Sequence, residues 1–109
     1  MAQLETIRNY WNTRADGYSR SGMEEMEDAQ KEGTYWKKLL DTYLPKGDNP
    51  KVLDLGCGPG FFTMLIGQRG CQMTAFDYSD GMLAQAKQNA VSVCVTAEFV
   101  QGDAQNLPF

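Results

Sequence analysis

The chain has 109 residues, which is the size of one domain with a single hydrophobic core. Its composition, 42% hydrophobic and 22% charged, is typical of a soluble globular protein and excludes a disordered, collagen-like or membrane-spanning chain. The formal net charge of −4 argues against a surface that follows nucleic-acid phosphates. We therefore expect neither a nucleic acid nor a membrane as a partner.

The chain contains no histidine, which excludes Ser/His and Cys/His nucleophilic pairs and histidine-ligated zinc. Three cysteines, Cys57, Cys71 and Cys94, form no CxxC pair and are odd in number, so we interpret them as reduced thiols. The first residues resemble no signal peptide. These features predict a cytoplasmic protein without a metal site.

The first 50 residues have helical periodicity. An apolar stripe predicts a first helix, which turn-forming residues over 12–22 then interrupt. Ser21 and Glu24 fit a capping box that opens a second helix, which Pro45 ends before a surface turn over 45–50. The two stripes consist of Leu4, Ile7 and Trp11, and of Trp36, Leu39, Leu40 and Tyr43. We interpret residues 1–50 as a helical cap segment.

Residues 51–109 alternate between strand and helix patterns. The predicted elements are a strand over 51–55, a helix over 61–69 ended by Gly70, a strand over 72–77, a helix N-capped by Ser79 and a strand over 97–101. The alternating residues Val91, Val93 and Val95 would also suit a strand, but we extend the helix to about Cys94. This order indicates a parallel sheet flanked by helices.

A glycine turn follows the first predicted strand. Gly56, Gly58 and Gly60 let the backbone approach a ligand closely, and the next helix offers free N–H groups to an anion, so the turn predicts a nucleotide-like ligand. Asp77 stands 21 residues after Gly56, where a carboxylate can accept protons from both ribose hydroxyls. The GxGxxG fingerprint of dinucleotide-binding enzymes requires glycine where this chain has Phe61.

Three ordered motifs resemble those of class I S-adenosylmethionine (SAM)-dependent methyltransferases, in particular their type 11-like small-molecule branch. They are VLDLGCGPG at 52–60, FDYSDGML at 76–83 and FVQGDAQNLPF at 99–109, and Tyr10, Trp11, Ala15 and Tyr18 resemble the aromatic lead-in of that branch. The resemblance implies an α/β, Rossmann-like three-layer sandwich truncated to its first three parallel strands, in the spatial order 3-2-1. Residues 51–109 would then be the SAM-binding half of a single domain that is incomplete at its C-terminus.

The resemblance also implies a SAM site, with S-adenosylhomocysteine as the product. Asp54 and the Gly56 carbonyl would serve the methionine ammonium, and Asp77 would hold the ribose diol. The adenine would meet Asp103, the Ala104 amide, Tyr78 and Met82, while Cys57, Gly58 and Gly60 would form the loop, and Tyr10 and Tyr18 would line the methionine end. No catalytic residue is identified.

Some of these residues also have a purely structural interpretation. Asp54 could cap the turn that follows it, Asp103 could be a carboxylate within a turn, and Met82 could belong to the core. Cys57 could be a small spacer, although a thiol beside a helix N-terminus could also have a lowered pKa.

The function predicted from the resemblance is methyl transfer from SAM to an unidentified small-molecule acceptor. The alternatives are a non-catalytic SAM-binding or interaction module and, less favoured, an NAD-dependent oxidoreductase. Because the acceptor half would lie beyond Phe109, we expect this chain alone to be inactive. We also expect it to self-associate through the exposed edge of its first strand or through its N-terminal helices.

Overall fold

The computed structural model describes residues 2–29, 34–44 and 49–109, and in the first range it describes the side chains of residues 4–17, 19, 20, 23 and 24. The elements are α1 (Ala2–Ala29), α2 (Tyr35–Tyr43), β1 (Lys51–Leu55), α3 (Phe61–Gly67), β2 (Gln72–Asp77), α4 (Asp80–Ser92) and β3 (Ala97–Gln101). Two helices thus precede a region in which strands and helices alternate. No helix of the described ranges is long and apolar enough to cross a membrane.

The three strands form one parallel sheet with β2 in the centre, which confirms the predicted order 3-2-1. Leu55 is aligned with Phe76, and Asp77 with Gln101, so the strands reach the same edge of the sheet together. The strand bounds predicted from the sequence are confirmed: 51–55, 72–77 and 97–101. The carboxyl ends of β1 and β2 therefore lie next to the glycine turn.

One face of the sheet carries the hydrophobic core. Met73 and Ala75 of β2 both point to this face, because side chains alternate along a strand. A first cluster joins β2 to α2 and α3 and has the buried members Leu40, Leu65, Ile66 and Met73. A second cluster joins β2 to α4 and has the buried members Cys57, Ala75, Leu83 and Ala86.

The opposite face, which we call the open face, contains Leu53, Leu55 and Phe76. Leu53 is 43% exposed and Leu55 is 51% exposed. Phe76 is buried, and the ring of Phe109 lies 6.0 Å from its ring. The clusters formed by the described helices lie on the other face, so the described residues form two of the three layers that the resemblance implies.

Helix α1 is uninterrupted, so the predicted break over 12–22 and the predicted helix start at Ser21 are wrong. Three polar residues of that stretch lie at helical spacing and face α4. Asn12, Asp16 and Ser19 each form a hydrogen bond to a side chain of α4. Because these groups find partners on a neighbouring helix, they do not need the local turn hydrogen bonds that would end α1.

Thr34 caps the amino end of helix α2, and its side chain accepts a hydrogen bond from the backbone amide of Lys37 at 3.4 Å. The predicted stop at Pro45 and most of the predicted turn over 45–50 lie outside the described residues. The apolar stripe packs in part, since Trp36 and Leu40 join the first cluster whereas Tyr43 is 76% exposed.

Helix α4 begins and ends close to where the residues at its termini predict. The Ser79 side chain accepts a hydrogen bond from the Met82 amide at 3.1 Å, which confirms the predicted N-cap. The helix ends at Ser92, and a turn brings the chain to Cys94, close to the predicted end. The valine alternation therefore belongs to the end of a helix and its connection rather than to a strand.

Candidate functional site

A cavity of about 420 Å³ lies between the carboxyl ends of β1 and β2 and the first half of α1. Its volume falls in the range of small-molecule sites, roughly 300–1,000 Å³. The lining residues are Ile7, Trp11, Gly56, Gly58, Pro59, Phe76, Asp77, Tyr78, Met82, Gly102 and Ala104. The cavity thus brings together six of the residues predicted from the sequence, namely Gly56, Gly58, Asp77, Tyr78, Met82 and Ala104.

The glycine turn has two different roles. Gly58 lines the cavity and has φ of +56°, a left-handed backbone conformation that favours glycine over residues with a side chain. A Cβ built on Gly60 would lie 3.2 Å from the Cβ of Ala86. Gly60 therefore lets the turn pack closely against α4, and it is absent from the lining of the cavity.

Asp77 ends β2 and connects two loops at the edge of the cavity. Its Oδ2 accepts a hydrogen bond from the Gly58 amide at 2.8 Å, and its Oδ1 accepts one from the Ser79 amide at 2.8 Å. An ionised carboxylate has about four lone-pair positions, so both oxygens can accept further hydrogen bonds. The site therefore offers a fixed acceptor for a ligand with two adjacent hydroxyls.

Asp54 points to the helix-covered face of β1 rather than into the lining of the cavity. Its Oδ2 accepts a hydrogen bond from the buried Thr63 hydroxyl at 2.7 Å. Burial raises the pKa of Asp54, and the charge of Asp77 raises it further, while the Thr63 hydrogen bonds act in the opposite direction. Asp54 is thus a carboxylate that a nearby cation would stabilise.

Cys57 is a core residue within the turn. It is 8% exposed and packs with Ala75 and Leu83. Burial raises the pKa of its thiol to about 12, and the negative charges of Asp77 and Asp54 raise it in the same direction. The thiol is therefore protonated at neutral pH, which contradicts the alternative of an activated thiol and supports the spacer interpretation.

Tyr10 and Tyr18 of α1 are the two aromatic residues predicted to line the methionine end. Tyr10 is absent from the lining of the cavity. Tyr10 is 48% exposed, and the Arg14 guanidinium carbon lies 3.4 Å from its ring centroid. The side chain of Tyr18 lies outside the described residues. That these two residues face the methionine end stays a prediction.

Ile7 and Trp11 line the cavity, although neither was among the predicted site residues. They are four residues apart and therefore lie on one face of α1. This spacing is visible in the sequence, but it predicts only an apolar helix face. Which part of the molecule this face meets depends on how α1 packs on α4, and Ile7 is still 45% exposed.

The segment after β3 supplies the remaining wall. Ala104 and Gly102 line the cavity, whereas Asp103 is absent from the lining and organises a turn. Its side chain accepts a hydrogen bond from the Gln105 amide at 2.9 Å, and its carbonyl accepts one from the Asn106 amide at 2.9 Å. Within the described residues, no group of three histidine, cysteine or acidic side chains is placed to hold a metal ion.

Comparison with known proteins assigns these residues to a family. Residues 52–109 match the family model described as a methyltransferase domain. The biotin biosynthesis bifunctional protein BioHC of Cellvibrio japonicus is 45% identical over 73 residues, which are 66% of this chain and 14% of that protein. The demethylmenaquinone methyltransferase of Mycobacterium marinum is 37% identical over 75 residues, which are 69% of this chain and 30% of that protein. The chain therefore spans less than a third of the length of either relative.

A solved structure extends the match to the fold. The crystal structure of a SAM-dependent methyltransferase from Clostridium acetobutylicum superposes with a TM-score of 0.56 at 26% identity, over 67% of this chain and 28% of that one. The family-model match over residues 52–109 includes the glycine turn and the acidic end of β2. The chain belongs to the methyltransferase domain family and has the class I fold of SAM-dependent methyltransferases.

Proposed function

We propose that this chain is the SAM-binding part of a methyltransferase that acts on a small-molecule acceptor. The observation that carries the proposal is Asp77, which is held by the Gly58 and Ser79 amides at the edge of a cavity of suitable size. In this position the carboxylate accepts hydrogen bonds from the two ribose hydroxyls of SAM.

The surrounding residues fit the other parts of the cofactor. SAM carries a net charge of +1, and Asp54 and Asp77 place two carboxylates near the carboxyl ends of β1 and β2, the edge of the sheet at which the cavity lies. Tyr78 and Met82 offer apolar surface to the adenine, and the bare backbone at Gly58 leaves room for the adenosine. The Gly56 carbonyl and Asp54 would hold the methionine ammonium.

When bound, SAM supplies a methyl group that is already activated by its positive sulfur. The residues of this chain bind and orient the cofactor and, through Ile7 and Trp11, shield it from water. Orientation alone contributes roughly 7 to 11 kcal/mol in favourable cases, so the lack of histidine does not oppose this function.

The structure also bears on the oxidoreductase alternative. Phe61 occupies the position where a dinucleotide fingerprint needs its third glycine, and its ring packs edge-to-face against Trp36 at 6.0 Å between centroids. A bulky residue at this position favours SAM over NAD.

The names of the two relatives refer to biotin biosynthesis and to demethylmenaquinone, and both match much of this chain. We infer that the shared part serves the cofactor rather than one acceptor. A cytoplasmic location and a division into a cap (1–50) and a SAM-binding part (51–109) stay predictions from the sequence.

The test combines a side-chain change with a ligand change. Replacing Asp77 by Asn is expected to weaken binding of S-adenosylhomocysteine at least about tenfold in calorimetry, because hydrogen bonds to a charged group contribute about 1.5 to 3 kcal/mol each. The 2′,3′-dideoxy analogue of S-adenosylhomocysteine lacks the two ribose hydroxyls and should lose clearly less affinity, because its loss reflects only the backbone amide of Gly58 or Ser79 that Asn cannot accept from. An equal loss for both ligands would show that Asp77 only braces the loop and would contradict the ribose assignment.

The same titrations separate the alternatives. Tighter binding of NAD than of S-adenosylhomocysteine by the parent chain would contradict the proposal. Binding without turnover of labelled SAM is expected for this chain alone. If a longer protein that contains the chain also transfers no methyl group, the non-catalytic module is the better description.

We also propose that the chain self-associates through the exposed edge of β1. This strand pairs only with β2 in the described sheet, and its residues Leu53 and Leu55 are exposed on the open face. Sedimentation at several concentrations should reveal a dimer, and replacing Leu53 and Leu55 by Lys should shift it to monomer. A parent that is monomeric throughout would contradict this proposal, and a dimer that persists in the variant would favour exchange of the N-terminal helices.

A further inference from the structure

We propose that Asn12 is a positioning residue for the cofactor site. Its carboxamide fixes the position of α1 against the amino end of α4. This contact determines where Ile7 and Trp11 lie in the cavity wall, and it determines the hydrogen bonds of the residue that orients Asp77. The inference rests on the proposed function, since it concerns the same cavity.

Both ends of the Asn12 carboxamide are used. Its Oδ1 accepts hydrogen bonds from the Gly81 amide at 2.8 Å and from the Ser79 hydroxyl. Its Nδ2 donates to Oδ1 of Asp80 at 2.9 Å. Three consecutive residues at the start of α4 therefore contact one side chain of α1, which fixes the position of α1 at this point.

Asn12 is connected to the candidate ribose carboxylate through one intervening residue. Ser79, which is 1% exposed, donates its hydroxyl to Asn12 and its backbone N–H to Asp77. The second oxygen of Asp77 accepts from Gly58. Displacing Asn12 thus changes the hydrogen bonding of the residue that orients Asp77, although Asn12 itself is absent from the lining of the cavity.

Gly81 allows this close contact. A Cβ at Gly81 would lie 2.9 Å from Oδ1 of Asn12, closer than real Cβ atoms approach, and 3.0 Å from its Cα, which is tighter than most real Cβ contacts. The fit is therefore specific to the α1–α4 contact.

The contact also places the cavity-facing side of α1. Trp11 precedes Asn12 directly, and Ile7 lies one turn earlier, so both move with it. In addition, the Arg8 guanidinium carbon lies 5.7 Å from the ring centroid of Tyr78, another lining residue. The packing of α1 against α4 thus completes one wall of the cavity.

The first test uses a matched pair of glycine substitutions in the 109-residue chain. Gly81→Ala forces α1 away from α4 and should weaken S-adenosylhomocysteine binding at least about fivefold in calorimetry. Gly17→Ala adds a methyl group to α1 where no atom lies within 4 Å, and it should leave the affinity within about twofold. Hydrogen exchange over α1 should slow on ligand addition in the parent and in Gly17→Ala but not in Gly81→Ala.

The second test reverses the polarity of one hydrogen bond. Asn12→Asp keeps both acceptor contacts but places a carboxylate against Asp80, and it should weaken binding at least about fivefold. Adding Asp80→Asn restores a donor and acceptor pair and should return the affinity to within about twofold of the parent. Asp80→Asn alone should have little effect, because its side-chain oxygen still accepts from Asn12.

The outcomes distinguish this inference from the proposed function. A parent that binds no S-adenosylhomocysteine overturns the proposed function. A parent that binds, together with a Gly81→Ala variant of equal affinity, overturns the positioning role alone. Failure of the double variant to recover binding would likewise overturn it, since the affinity loss in Asn12→Asp would then not come from the Asn12–Asp80 contact.

Discussion

The two N-terminal helices are attached to the rest of the molecule in different ways. Helix α2 packs through apolar groups, since Trp36 lies edge-to-face against Phe61 and Phe62 of α3 with centroids 6.0 and 4.9 Å away. Helix α1 contacts α4 through the polar series Asn12, Asp16 and Ser19. The first contact is part of a hydrophobic cluster, whereas the second is a row of directional hydrogen bonds.

This difference suggests a division of roles. Burial of aromatic surface stabilises strongly and tolerates small shifts, whereas a hydrogen bond between side chains contributes only about 1 kcal/mol net and requires a defined geometry. Helix α2 is therefore suited to hold the core together. Helix α1, which bears two residues of the cavity wall, is suited to define the position of that wall.

The largest expected effect is in the apolar contact. Replacing Trp36 by Ala should lower the free energy of unfolding by about 3 kcal/mol, because it removes the ring that packs against both phenylalanines. Tyr43→Ala on the same helix is the control, since Tyr43 is 76% exposed and should change stability by less than about 0.5 kcal/mol. Urea unfolding measures both, and similar losses in the two variants would contradict the assigned role of Trp36.

A smaller effect is expected where the polar contact reaches the glycine turn. The side-chain Nδ2 of Asn89 donates hydrogen bonds to the Ser19 hydroxyl at 2.8 Å and to the Pro59 carbonyl at 2.9 Å. Asn89→Ala should lower the free energy of unfolding by about 1 to 2 kcal/mol, whereas the exposed neighbour Gln88→Ala should change it little. Equal stability of the two variants would show that this bridge contributes nothing.

The smallest effects concern two carboxylates whose pKa values shift in opposite directions. Burial raises the pKa of Asp54 above its ordinary value of 3.8, so its contribution to stability is present below that value and is lost as the pH rises through the folded-state pKa. The Asn12 hydrogen bond lowers the pKa of Asp80, so its contribution is present above 3.8 and is lost as the pH falls through the folded-state pKa.

Two Asn variants measure this contrast in acid unfolding curves. Relative to the parent, Asp54→Asn should gain stability as the pH rises above about 4, and Asp80→Asn should lose its disadvantage as the pH falls below about 4. If the stability difference between the parent and Asp54→Asn is independent of pH, or has the opposite sign, Asp54 is not desolvated as the structure indicates.

Local signals predicted most of the α/β region. The strand bounds and the Ser79 cap depend on residues that are close in sequence, and the structure has both. The continuity of α1 could not be predicted in this way, because Asn12 and Ser19 are turn-forming residues by propensity. Their partners are about 70 positions away in α4, and only the packed structure brings them together.

The site follows the same rule. Motif spacing predicted that Gly58 and Asp77 would lie together, and they share a hydrogen bond at the cavity. The spacing could not show that Gly60 packs against Ala86, since this depends on the distance between two helices. Nor could it place Trp11 in the wall, because the orientation of α1 is set by its contacts with α4.

The two backbone hydrogen bonds to Asp77 have a consequence for the entropy of binding. Because the amides of Gly58 and Ser79 each hold one carboxylate oxygen, the side chain has one orientation before any ligand arrives. Immobilising a free side chain on binding costs about 0.5 to 1.5 kcal/mol, which is roughly a two- to tenfold loss of affinity. The Asp77 side chain is already fixed when the chain folds. A ligand with a vicinal diol therefore meets an aligned acceptor and does not lose this part of its binding free energy.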